Sequence, residues 1–250
     1  MPYDALFIVK FILVLLFIIG YYRFIKNKII YFAGKAAENA ALSRHYPYEI
    51  AKGVIELPLI VLTHLLFCVI LAKTCDISFP KLGTMSLRAP YLLLYGVLLG
   101  LGVMGTASLL GRFYIEIMRT LFPRQFPTDI KHWLIMVRSG WIRHYLHVLQ
   151  ALPLPIALLI AFGQVCCEEI VFRGILTPYF LPYGQATAIL LSTALFMYMQ
   201  LFQMPNRVSG VFPLIGALVM GTVGSILYLQ IPNLMPLMIA HMIFFSVAVL

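Results

Sequence analysis

Seven apolar runs, each about as long as a bilayer core is thick, alternate with short polar stretches along the chain. They cover Ala5 to Tyr22, Val54 to Ala72, Tyr91 to Leu110, residues 156–177, Gln185 to Phe202, Phe212 to Gln230 and Leu234 to Leu250. Pro153 and Pro155 open the fourth run, Pro178 and Pro182 turn the chain after it, and Ile231-Pro232-Asn233 turns it before the last. Small residues recur every four positions at Gly96 and Gly100, and again at Ala217, Gly221 and Ser225. Such stripes let helices approach closely in lipid. The pattern predicts an all-α, polytopic membrane helix bundle of about seven transmembrane helices.

Composition agrees: 62% of residues are hydrophobic and 11% charged, against about 45–50% apolar and about 25% charged in soluble domains. The net charge of +9 comes from basic residues beside apolar runs. This is a positive-inside pattern with affinity for anionic lipid, and no nucleic-acid partner is expected. The two richest stretches follow the first and third runs. One holds Arg23, Lys26, Lys28, Lys35, Arg44 and Lys52; the other holds Arg112, Arg119, Arg124, Lys131, Arg138 and Arg143. Both are expected in the cytoplasm, with interfacial helices at Phe32 to Ala51 and within 112–147, the N-terminus outside and the C-terminus cytoplasmic. The first run has no basic leader and no small-x-small site after it, so it is expected to remain in the protein.

Few polar residues interrupt the runs. Glu56, near one end of the second, reads as an interfacial carboxylate. His64, near its middle, reads as a hydrogen-bonded core histidine. His144 and His147 have no third metal ligand in view, and Cys68, Cys75, Cys166 and Cys167 show no disulfide or metal spacing and read as packing residues. The exception is Cys166-Cys167-Glu168-Glu169-Ile170-Val171-Phe172-Arg173-Gly174. On a helix Glu169 and Arg173 share a face and can pair, while Glu168 points about 100° away with no partner inside the motif. Ionisable groups at membrane depth are expensive and mark function.

This motif resembles the first motif of the CPBP family, the CAAX prenyl endopeptidases and bacteriocin-processing or immunity (Abi) proteins, which are glutamic intramembrane proteases. The glycine-rich Gly221 to Gln230, the turn at Asn233 and a last helix bearing His241 are similar to the family's downstream order. The resemblance spans roughly 148–250 and leaves 1–147 unmatched, as a section of spans and interfacial helices packed with a four-helix core into one bundle. It implies an endopeptidase acting on a membrane-associated peptide or protein. Glu168 would be the general base, Glu169 the partner of Arg173 and His241 an oxyanion donor, with no metal or other cofactor. Two positions depart from the family pattern. Gln200 stands in Phe196-Met-Tyr-Met-Gln200 where histidine is expected, and Phe245 in His241-Met-Ile-Phe-Phe245 where asparagine is expected. Glutamine can hold a water but cannot take its proton, and a lost oxyanion donor typically costs about 100- to 1,000-fold.

Helix rise puts Glu168 about 18 Å from the cytoplasmic end of its run, His241 at a similar level and Gln200 nearer the cytoplasm. Glu168 and His241 are thus expected to meet, and Gln200 to join them only if its helix starts later or tilts. His64, near mid-membrane, is the one candidate substitute for the missing histidine, against its reading as a core histidine. The rival reading is a catalytically inactive binding, immunity or assembly protein of the same fold; a small proton-coupled transporter lacks any inverted-repeat signal.

Overall fold

A computed structural model of the chain describes residues 5–39, 46–78, 90–123, 148–202 and 210–249. The described residues are almost wholly helical, with no strand among them. The basic stretch around Trp133, Trp141, His144 and His147, and the loop Pro205-Asn206-Arg207, lie outside them.

The first apolar run is α1 (Ala5–Ile19). It passes through a π-helical stretch (Gly20–Ile25) straight into α2 (Lys26–Asn39). The polar segment after the first run therefore continues that span up to Asn39. A π turn is wider than an α turn, and the adjacent Tyr21 and Tyr22 are both buried here. The second run is α3 (Tyr48–Thr74), longer at its start than the hydropathy suggests, with Pro58 inside it. The third is α4 (Pro90–Leu121). The fourth is α5 (Leu154–Glu169), which becomes a second π-helical stretch (Ile170–Leu176) and ends in the short α6 (Thr177–Phe180) and a 3-10 turn (Leu181–Tyr183). The helices α7 (Gln185–Leu201), α8 (Val211–Gln230) and α9 (Met235–Val249) complete the bundle. Five of the described helical stretches are long and apolar enough to cross a membrane; α7 and α9 are shorter and also apolar.

Leucines at 6, 94, 98, 109 and 159 are more than half exposed, whereas Arg173, Glu169 and His64 are fully buried. Water would not tolerate that distribution; lipid requires it. This is an integral membrane protein.

Packing joins the two ends of the chain. α4 lies along α9, and α3 along α5. A Cβ added to Gly100 would sit 2.9 Å from the Ala240 carbonyl oxygen, so α9 rests on the bare backbone of α4 one residue before His241. Gly163 plays the same part between α5 and α3, where a Cβ would meet Val61 Cγ1 at 2.9 Å. Gly100→Leu is expected to destabilise the bundle by about 1–3 kcal/mol through overpacking. Thermal unfolding in detergent measures this, and an unchanged midpoint would mean that α9 does not depend on this contact.

Candidate active site

The Glu pair sits at the last turn of α5, with Arg173 one turn on in the π-helical stretch. The Phe172 carbonyl accepts the Thr177 backbone N–H, the i to i+5 bond of a π turn, and takes side-chain donors as well. Thr177 Oγ1 donates to it at 2.9 Å and Ser192 Oγ at 2.5 Å. The irregular backbone is thus partnered at this carbonyl, as membrane depth requires. Arg173 Nη1 donates to Glu169 Oε1 at 3.1 Å, with both side chains fully buried. The guanidinium lies over the Phe196 ring of α7, 4.3 Å from its centroid.

His241 on α9 joins the pair from the side. Its Nδ1 donates to Glu169 Oε1 at 2.6 Å, so the carboxylate serves Arg173 and His241 together. A histidine that donates from Nδ1 turns Nε2 outward as its reactive nitrogen. Nε2 faces Glu168 Oε2 across 3.8 Å, too far for a direct hydrogen bond. The His241 ring also stands edge-on to Phe196, with centroids 5.9 Å apart. Among the described residues no group of three His, Cys, Asp or Glu is arranged to hold a metal ion.

Glu168 and His241 therefore meet, but Glu168 is not without a partner. Gln164, one turn back on α5, donates from Nε2 to Glu168 Oε1 at 3.0 Å. Gln164 Oε1 lies 3.3 Å from His64 Nδ1, and His64 Nε2 lies 2.7 Å from the Tyr22 hydroxyl. His64 is thus a hydrogen-bonded interior histidine, and it reaches Glu168 through Gln164.

Gln200 is buried on α7, one turn beyond Phe196, and among the described residues it makes no hydrogen bond to Glu168 or His241. Phe245, one turn beyond His241, packs against the apolar cluster of Leu57, Val148 and Ile160. Two polar residues differ from their sequence reading. Glu56 is buried, with Lys52 Nζ 4.0 Å away, so it does not sit as an interfacial carboxylate in water. Lys26, the first residue of α2 after the π-helical stretch, is buried too rather than facing headgroups.

Gln164 and Tyr22 were legible only as an isolated amide in an apolar run and an aromatic at a span end. The one signal was the four-residue spacing from Gln164 to Glu168, which puts them on one helix face. The packing of Cys68 against Cys167, where the Cys68 thiol approaches the Cys167 carbonyl at 3.6 Å, fits the structural reading of these cysteines.

The sequence model of the family described as Type II CAAX prenyl endopeptidase Rce1-like matches residues 149–247. That stretch contains Glu168, Glu169, Arg173, Gln200 and His241 and leaves out Tyr22 and His64. No curated protein and no solved structure matches the chain. From α5 to α9, residues 149–247 are thus similar to the CAAX prenyl endopeptidases, in support of the resemblance that the Glu168 motif and His241 carry.

Proposed function

We propose that the protein is a CAAX-type intramembrane endopeptidase that cleaves a membrane-associated peptide or protein, with Glu168 as general base. The observation that carries this reading is the gap of 3.8 Å between Glu168 Oε2 and His241 Nε2, bordered by two groups that hold and move protons. A water at that gap gives its proton to Glu168 as its oxygen attacks the scissile carbonyl. His241, held through Nδ1 by Glu169, presents Nε2 to the charge that develops on the carbonyl oxygen. Arg173 offsets the Glu169 charge and keeps that carboxylate aimed. The substrate reaches the site from the bilayer, and the basic stretches after the first and third spans face the cytoplasm with the C-terminus.

A second reading, an inactive binding, immunity or assembly protein of the same fold, draws support from the apolar packing of Phe245 and from the lack, among the described residues, of a hydrogen bond from Gln200 to Glu168 or His241. The purified protein in liposomes, offered membrane-associated peptides, separates the two. The protease reading expects cleavage that Glu168→Ala abolishes. The inactive reading expects none until Gln200→His and Phe245→Asn are introduced together, and activity appearing only then would sink the first reading.

A further inference from the structure

Glu168 is the end of a string of hydrogen bonds that begins outside the family-matched region. The string runs from Tyr22 in the first span through His64 on α3 and Gln164 on α5. All four side chains are buried, at 1%, 0%, 8% and 7% exposure, so solvent competes weakly with the bonds between them. His64 is clamped by rings as well: Tyr21 stacks on it at 5.0 Å, and Tyr22 and Phe67 stand beside it.

The string has a direction. An ionised Glu168 can only accept, so Gln164 must turn Nε2 toward it and Oε1 toward His64. His64 must then donate from Nδ1. A neutral imidazole has one N–H, so its Nε2 is bare and accepts from the Tyr22 hydroxyl. Every hydrogen in the string points toward Glu168. A protonated Glu168 that donated into the string would need all of it reversed, with Gln164 flipped, His64 in its other tautomer and Tyr22 accepting. The string thus keeps Oε1 an acceptor, and its donated hydrogen bond favours the carboxylate over the neutral acid, whose proton could sit only on Oε2.

We infer that Tyr22, His64 and Gln164 are positioning residues that hold Glu168 as a carboxylate and aim its free oxygen Oε2 at His241. The inference rests on the reading of Glu168 as the base and adds to it a role for the N-terminal spans, which complete the site. Among the described residues, the other charged or titratable groups near Glu168 are Tyr21 from the first span, Lys26 from α2, Cys167, Glu169 and Arg173 from its own helix, and His241 from α9. None of these donates to Glu168 Oε1, which is the atom that Gln164 holds.

The test is infrared spectroscopy of the full chain in lipid, following the protonated-carboxyl C=O stretch of Glu168, assigned at acid pH, where the wild type is protonated, by its loss in Glu168→Gln. At matched pH near neutrality the protonated fraction is expected to rise about tenfold in Gln164→Met, the size of effect given by one hydrogen bond to a charged group. In Tyr22→Phe it is expected to rise about threefold, because the bond lost there is two steps away. Tyr22→Phe removes one oxygen from an otherwise unchanged aromatic cluster, so it reports even where Gln164→Met does not fold. A helix-packing role alone would leave the band unmoved. An unchanged fraction in the variants that fold, or a largely protonated Glu168 in the wild type at neutral pH, overturns the inference. No substrate is needed. Shifts without any cleavage would sink the protease reading and leave the hold of the string on Glu168 standing, whereas cleavage without shifts would sink that hold alone.

Discussion

Glu168→Gln is expected to lower cleavage by about 100- to 10,000-fold, the usual contribution of a positioned general base, while leaving the fold intact. Glutamine matches glutamate in shape, and its side-chain oxygen still accepts from Gln164 Nε2, so the hydrogen bond at 3.0 Å and the buried string behind it keep their partners. The group facing His241 becomes an amide, which can hold a water but not deprotonate it. Loss of rate with an unfolding midpoint near that of the wild type is the signature of a chemical role. Glu168→Asp adds a geometric check. It keeps the charge but draws it back from His241 Nε2, which already lies 3.8 Å away, so its rate should fall between the two. Cleavage by Glu168→Gln within a few-fold of the wild type would remove Glu168 from the base position and end the proposed mechanism.

Hydropathy carried the fold a long way, because lipid forces the same solution on every apolar run of about 20 residues. The spans, the Gly96-x-x-x-Gly100 contact and the Glu169–Arg173 pair all follow from local spacing. Counting helix rise put Glu168 and His241 at a similar depth, where they could meet, and the structure brings them within 3.8 Å. Tertiary packing set what remained. Nothing in Tyr22, His64 and Gln164, separated by 42 and 100 positions, says that they touch. They do so because Gly163 lets α5 close on α3 and because a π turn brings both Tyr21 and Tyr22 inward. Lys26 shows the same limit. A lysine following a span reads as a headgroup-facing charge, and only the irregular turn before it reveals that it is buried. The two departures from the family motif were visible in sequence, but their surroundings were not. Phe245 fills an apolar niche with Leu57, Val148 and Ile160, which explains how the bundle stays packed without the asparagine.

Arg173→Met is expected to be the most destabilising single change in the site, by about 3–5 kcal/mol, because it strands a buried carboxylate. Arg173 is fully buried and, among the described residues, supplies Glu169 with its only permanent positive charge at hydrogen-bond distance, 3.1 Å; His241 Nδ1 is the other donor at 2.6 Å. Methionine keeps contact with Phe196 but ends the cation–ring interaction at 4.3 Å. The loss should be recovered in large part by Arg173→Met with Glu169→Gln, since removing both charges removes the desolvation problem along with the attraction. Stability and catalysis should then part company. The double variant restores folding, yet the amide that replaces the Glu169 carboxylate no longer holds His241 Nδ1 as a charged acceptor, so cleavage stays low. Denaturation in mixed micelles gives the first quantity and peptide cleavage the second. If the double variant is no more stable than Arg173→Met, the buried charge of Glu169 is not what makes Arg173 necessary. If it regains wild-type cleavage, the aim of His241 does not depend on the carboxylate.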